Sequence, residues 1–217
     1  MKMKLVPGEP HAGPWRVIPA SEFFKLIIGS DEKPDDRPWI IALDGRSGSG
    51  KSTISNLLLQ VVPKSAVVHT DDVAWHHSFF DWSDLLSENI LKPLRAGKAV
   101  SYQPPGWEPN GRSGAIEIAA NLDLVVVEGV GASRTEIMPY LDHSVWIQSD
   151  FEETKRRGLA REGDTEEARK FWDEWMAEEL DFLNSQHPWD RAKIIVNGTA
   201  QQSYDRKTEL VVAPSIT

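Results

Sequence analysis

No cysteine occurs anywhere in the 217 residues. That excludes a disulfide framework, a metal centre held by thiolates, and a catalytic thiol. It fits a reducing compartment, and the cytoplasm is the expected location. Positive charge is in short supply: 24 Lys and Arg stand against 33 Asp and Glu, for a net charge of −9. This argues against a broad nucleic-acid face but leaves room for one small basic pocket. No run approaches the ~18 apolar residues of a membrane span. Met1 to Pro10 carries two lysines but no apolar stretch follows, so no signal peptide is expected. Repeats and long low-complexity tracts are also missing. The one surplus is tryptophan, with nine residues.

The length suits roughly one domain, and a 40 % hydrophobic content is enough for a core. Residues 1–19 are rich in Pro and Gly and read as a loose arm. Ala20 to Ile28 reads as a short helix with Ser21 as a candidate N-cap. A polar linker, Gly29 to Pro38, follows. The expected division is therefore an arm, helix and linker over 1–38 and one folded domain over 39–217.

Within that domain, Trp39–Leu43, Ala66–Val68, Leu124–Val127, Ser144–Ile147 and Ile194–Val196 are short continuous apolar runs. Strands buried on both faces look like this, and such strands belong to parallel sheets covered by helices. Glu209–Ala213 reads as a last edge strand. Helical patterns fall between the runs, at Lys51–Val61, Trp82–Ala96, Ser113–Asn121, Phe151–Arg161 and Thr165–Asn184. The alternation predicts an α/β fold with a doubly wound parallel sheet. In the last helix, Ala168, Phe171, Trp172, Trp175, Leu180 and Leu183 form a core-facing stripe at helical spacing, and Asp164 with Glu167 reads as a capping box.

The first strand runs into Gly45-Arg46-Ser47-Gly48-Ser49-Gly50-Lys51-Ser52, with Thr53 next. This fits G-x-x-x-x-G-K-[ST], and chance matches in a chain of this length number roughly 0.01. The glycines let the backbone turn its N–H groups inward, and the following helix N-terminus completes an anion site. Residues 45 and 47–53 are the candidate nucleotide-binding set. Lys51 is expected to reach the β- and γ-phosphates of ATP, and the Ser52 hydroxyl to sit on Mg²⁺. Arg46 is either solvated or a phosphate contact.

Phosphoryl transfer also needs metal ligands, a group to orient the nucleophile, and positive charge on the transition state. In open α/β sheets these lie beyond strand C-termini. His69-Thr70-Asp71-Asp72 follows the second apolar run, and Asp71 is the candidate proton acceptor, with Asp72 as the fallback. Glu128-Gly129 follows the third run in a Walker-B arrangement, so Glu128 is a candidate magnesium ligand. Arg157 and Arg161 are four apart on one helix face, where a lid over the phosphates would begin. Their alternative is ion pairing with Glu152, Glu153 and Glu162. Trp75, Trp82 and Trp107 flank the acceptor side and are candidates to stack on a flat ring or to pack the core. His69, His76 and His77 have irregular spacing for a transition metal, and no nucleophile-elbow sequence occurs.

With these residues the chain resembles the uridine kinase and phosphoribulokinase branch of P-loop kinases, from about Trp39 to Thr199. The resemblance is carried by Ile41–Thr53, Asp71-Asp72, Asn89–Lys98, Val125–Val130, Arg156-Arg157 and Ile194–Thr199. It implies a P-loop NTPase fold of nucleoside-kinase type with a helical lid over about 150–185. It also implies transfer of the ATP γ-phosphate to a small-molecule hydroxyl. The family's base, also a magnesium neighbour, falls on Asp71, its metal-holding Glu on Glu128, and its phosphate-contacting lid arginines on Arg157 and Arg161. Two departures lie on the acceptor side. Asp72-Val73-Ala74-Trp75 stands where uridine kinases carry a Phe-Tyr pair after the acid, and Tyr102–Trp107 replaces a Tyr-Asp-Phe-type segment. The acceptor is therefore left open: pantothenate, a sugar and a nucleoside monophosphate are alternatives to uridine. Two further readings are a nucleotide-dependent switch or ATPase, and a binding module without turnover. No nucleic-acid or membrane partner is expected, and a homo-oligomer is left open.

Overall fold

The computed structural model describes residues 3–163 and 165–216. The apolar runs become β2 (Trp39–Gly45), β3 (Ser65–His69), β6 (Leu124–Gly129), β7 (His143–Gln148) and β8 (Ile194–Asn197). All pair in parallel, in the order β8-β7-β2-β6-β3. Their alternate residues bury on opposite faces, which explains the absence of polar alternation. Ile41, Leu43 and Val126 meet Phe23, Ile27, Leu57 and Leu58 on one side. Ile40, Ala42 and Val127 meet Trp82, Leu86 and Ile90 on the other. The helices α1 (Ala20–Ile28) and α2 (Lys51–Val61) cover the first face. The second lies under α3 (Thr70–Ala74), α4 (Ser83–Leu86), a π turn (Ser87–Leu91) and α5 (Lys92–Arg95). Pro93 has no N–H to close an α-helical bond there, and the run expected as one helix over 82–96 is divided accordingly.

Three expectations need correction. The described part of the expected loose arm, residues 3–19, is ordered. Arg16–Pro19 forms β1, antiparallel to β9 (Glu209–Pro214), which is itself antiparallel to β8, so among the described residues the sheet has seven strands. Val6 is buried, and buried Glu9 accepts from Trp146 Nε1 at 2.6 Å and Gln148 Nε2 at 3.0 Å. These partners lie far away in sequence, so local composition did not reveal them. Ser21 does not cap α1: Pro19 holds the N-cap position, and the Ala20 N–H donates to Thr208 O. Ser113–Asn121 is not a helix. Ile116–Ile118 forms β5, with both isoleucines buried around exposed Glu117, a period-two pattern paired with β4 (Val100–Tyr102).

The helices α6 (Phe151–Glu162) and α7 (Glu166–Gln186) stand where the lid was expected. The capping box placed on Asp164 lies outside the described residues. Thr165 caps α7, its hydroxyl accepting from the Ala168 N–H. Gly158 lets the two helices touch: a Cβ there would lie 2.0 Å from the Trp172 ring.

Asp142 closes the start of the sheet. Its carboxylate takes two hydrogen bonds from Arg37 (2.7 and 2.8 Å), one from Arg95 (2.8 Å) and one from the Ile40 N–H (2.8 Å). Burial pushes this carboxyl up, but Arg37, the Ile40 amide and the two positive charges outweigh it and hold it below the ordinary range. A depressed carboxyl contributes stability above its unfolded pKa and loses it as pH falls through the folded one. Asp142→Asn is expected to cost about 3 kcal/mol at pH 7. Urea unfolding should show the gap to the parent protein closing as pH falls from about 5 towards 2. A gap constant across that range would count against the ion-pair account.

Candidate active site

The loop between β2 and α2 needs glycine at two places. Gly48 and Gly50 have φ of 79° and 98°, in the left-handed region that other residues avoid. Gly48 also passes close to α6, where an added Cβ would meet Thr154 O at 2.5 Å. Gly50 is the N-cap of α2 and offers no side chain to the first-turn N–H groups, which leaves them for an anion. The buried Ser49 Oγ has no partner among the described residues. Lys51 is buried and donates to the loop's own carbonyls, Gly45 O at 2.9 Å and Arg46 O at 3.1 Å. One of its three ammonium hydrogens is left for a phosphate oxygen. Asp44, fully buried below the loop, accepts from the N–H of Gly45, Gly131 and Ser133 and from Ser133 Oγ. It ties the phosphate loop to the loop after β6.

Ser52 and Glu128 come together as expected, with Ser52 Oγ 3.3 Å from Glu128 Oε2. That same oxygen lies 2.6 Å from His69 Nδ1. Burial pushes the Glu128 carboxyl up, but the His69 hydrogen bond and the Lys51 charge outweigh it and hold it low. The hydrogen bond to Glu128, aided by Asp72 and Asp71, raises the His69 imidazole. An ionised carboxylate beside a hydroxyl at the cradle is a hard-oxygen pair suited to Mg²⁺, which takes its remaining ligands from phosphates and water. No cluster of three or more His, Asp or Glu suited to a metal occurs among the described residues. Gly129 permits the junction, since a Cβ there would fall 1.6 Å from Thr70 Oγ1.

The two acids after β3 separate. Asp71 lines a cavity of about 430 Å³ beside Ser47 of the phosphate loop. Asp72 instead accepts from Arg112 at 2.7 Å, and Arg112 lies 3.6 Å over the Trp107 ring. Trp107 Nε1 donates to Asp72 O. Trp107 is thus buried packing and does not line the cavity, the second of the two readings given for it. Trp75 and Trp82 do line it. So do Phe171, Trp172 and Trp175, which the periodicity assigned to a core stripe; Phe171 is 49 % exposed.

The two arginines of α6 diverge. Arg157 donates to Gly48 O (3.3 Å) and Gly198 O (3.0 Å), on a cleft shared with Asn197, Tyr204 and Arg206. It also pairs with Glu153, whose carboxyl Arg156 and Arg157 hold at about 2. Arg161 borders the aromatic cavity and pairs with Glu162 at 3.0 Å.

Arg46 meets neither of its two expectations. Only 1 % exposed, it donates from Nε to Glu179 Oε2 at 3.0 Å and from Nη1 to Thr154 Oγ1 at 3.1 Å. Glu179 Oε1 also accepts from the Ser47 N–H at 2.8 Å. The phosphate loop is therefore anchored to α7 by a buried ion pair. Glu179 was missed, although its signal was present: it lies seven residues after Trp172 and four after Trp175, on the apolar side of the helix.

No family model matches the chain. A uridine kinase of Staphylococcus aureus is 26 % identical over 166 residues, covering 68 % of this chain and 79 % of that one. Among solved structures, one described as a possible uridine kinase from Bacillus stearothermophilus superposes with a TM-score of 0.59 at 20 % identity, over 81 % of this chain and 96 % of that one. A D-glycerate 3-kinase from Cryptococcus neoformans gives 0.55 at 14 %, over 88 % and 98 %. The chain thus has the fold of the P-loop kinases, and its sequence resembles the uridine kinases among them.

Proposed function

We propose that the protein is an ATP-dependent kinase that transfers the γ-phosphate to a hydroxyl of a small molecule. The observation that carries this reading is the arrangement around the phosphate loop. An acid-bearing cavity opens on one side, at Ser47 and Asp71, and a cleft with Arg157 and Asn197 on the other, at Ser49, Gly50 and Thr53. A donor nucleotide in the cleft and an acceptor in the cavity would meet across the cradle.

In this reading the loop amides and Lys51 hold the ATP phosphates, and Arg157 borders the nucleotide side. Asp71 accepts the proton of the acceptor hydroxyl as its oxygen bonds to the γ-phosphorus and the bond to ADP breaks. Arg161 supplies positive charge from the acceptor side. Mg²⁺ bound with the nucleotide would be held by Ser52 and Glu128, with Asp71 near it, and would neutralise charge on the β- and γ-oxygens. His69 holds Glu128 in place. The cytoplasm remains the proposed location, on the absence of cysteine.

The test is ADP release from ATP and Mg²⁺ with and without candidate acceptors. The resemblance puts uridine first, followed by pantothenate, a sugar and a nucleoside monophosphate. Release that depends on an added alcohol supports the reading. Hydrolysis at one rate regardless of acceptor would point to a switch or ATPase. Tight ATP binding with no turnover would point to a binding module.

A further inference from the structure

Resting on that kinase reading, we propose that Glu179 is a positioning residue for phosphoryl transfer. It joins the phosphate loop to the helix that walls the acceptor cavity. It thereby sets how the two substrates line up rather than how tightly either binds. Two kinds of contact follow one another along α7. Phe171, Trp172 and Trp175 line the cavity at Asp71, and Glu179, one turn beyond Trp175, bonds the phosphate loop. Ser47 stands at the seam: it lines the same cavity, and its N–H donates to Glu179 Oε1 at 2.8 Å.

Packing alone does not call for this pair. Burying two charges costs more than burying apolar groups of similar volume. What a carboxylate adds is two acceptor oxygens, and each has its own partner on the loop. Oε2 accepts from Arg46 Nε, and Oε1 accepts from the Ser47 N–H. Arg46 spends the rest of its guanidinium on the two helices beside it. Nη1 reaches Thr154 of α6, Nη2 reaches Met176 Sδ of α7 at 3.0 Å, and the group lies 4.2 Å over the Phe151 ring. The loop, α6 and α7 are thus locked together at one buried point.

The connection continues to the cation of the cradle. Arg46 O accepts from Lys51 Nζ at 3.1 Å. A loop released from α7 would therefore shift Ser47 and Lys51 together, relative to a hydroxyl at Asp71. A misplacement of about 1 Å can cost about 100-fold in rate. The loop amides would still turn toward the phosphates, so such a shift spares the affinity for ATP.

The experiment is Glu179→Gln, with Glu178→Gln, at an exposed neighbour, as control. Both partners of the carboxylate are donors, and an amide has one acceptor oxygen, so one of the two bonds is lost. The assay uses ATP, Mg²⁺ and uridine, or the alcohol that replaces it in the acceptor panel. In Glu179→Gln, kcat should fall about 100-fold while KM for ATP and for the alcohol stays within about threefold. Hydrogen exchange gives a readout that needs no turnover. ATP with Mg²⁺ should slow amide exchange in residues 166–186 of the parent as well as in residues 45–61, and in Glu179→Gln only in 45–61. Glu178→Gln should match the parent in both measurements. Glu179→Asp, which keeps the charge but shortens the reach, carries the same expectations if Glu179→Gln does not fold. A kcat within about threefold of the parent would overturn the proposal, as would KM values that rise as far as kcat falls. So would the same α7 exchange response to ATP in parent and variant, or failure of both variants to fold, which would show a purely structural role. A parent that releases no ADP with any alcohol would overturn the kinase reading. The exchange comparison still decides by itself whether Glu179 carries nucleotide binding into α7.

Discussion

Lys51→Ala is expected to lower kcat/KM for phosphoryl transfer by at least about 10³-fold while the protein stays folded. The ammonium is buried in the cradle, and its hydrogen bonds go to two backbone carbonyls of the same loop. No strand or helix depends on it for packing, so the loss in stability should stay within about 1–3 kcal/mol for the two carbonyls it leaves. The activity loss has a different origin. Lys51 is the cation nearest the expected β- and γ-phosphates, and it helps hold Glu128 ionised. Circular dichroism and thermal unfolding check the fold, and coupled ADP detection checks the rate. Unchanged turnover in a folded variant would sink the mechanism.

Asp71→Asn should suppress turnover by about 10²–10⁴-fold with ATP affinity nearly unchanged. Asn keeps the shape and a hydrogen-bond acceptor but cannot take the hydroxyl proton. Asp72→Asn is the matched control. Asp72 pairs with Arg112, both about one-third exposed, so the change should cost at most about 1 kcal/mol and leave kcat within severalfold. ATP affinity by calorimetry separates binding from chemistry. The reverse result, an active Asp71→Asn and an inactive Asp72→Asn, would move the base to Asp72 and require Arg112 to release it.

Much of the fold was legible because its signals are local. A parallel strand buried on both faces is a continuous apolar run, and β2, β3, β6, β7 and β8 each extend their run by no more than a few residues. The phosphate loop was legible for a similar reason: Gly48 and Gly50 are demanded by backbone angle within one turn of chain. The N-terminal strand was not legible. Arg16–Pro19 is ordered by β9, almost two hundred residues later, and no periodicity in four residues foretells that. The Ser113–Asn121 segment failed because three-residue strands carry too few alternations to outweigh a helical guess.

On the site, sequence position placed the loop, Lys51, Ser52, Asp71 and Glu128 after strand ends, and strand ends converge in this architecture. The surplus of tryptophan was visible, but its meaning was not. Trp75, Trp172 and Trp175 line the cavity while Trp107 is buried beneath Arg112, and nothing in their spacing distinguishes these fates. The same holds for charge. Arg46 and Glu179 are ordinary charged residues in the sequence, 133 positions apart, and only packing makes them a buried pair anchoring the phosphate loop to α7. What the sequence by itself determined is the succession of the five parallel strands and which residues follow their ends, since both depend on neighbours along the chain. Only the tertiary structure decided which acid faces the cavity, which arginine lies on which side, and what lines the acceptor's walls, because those depend on elements that meet solely after folding.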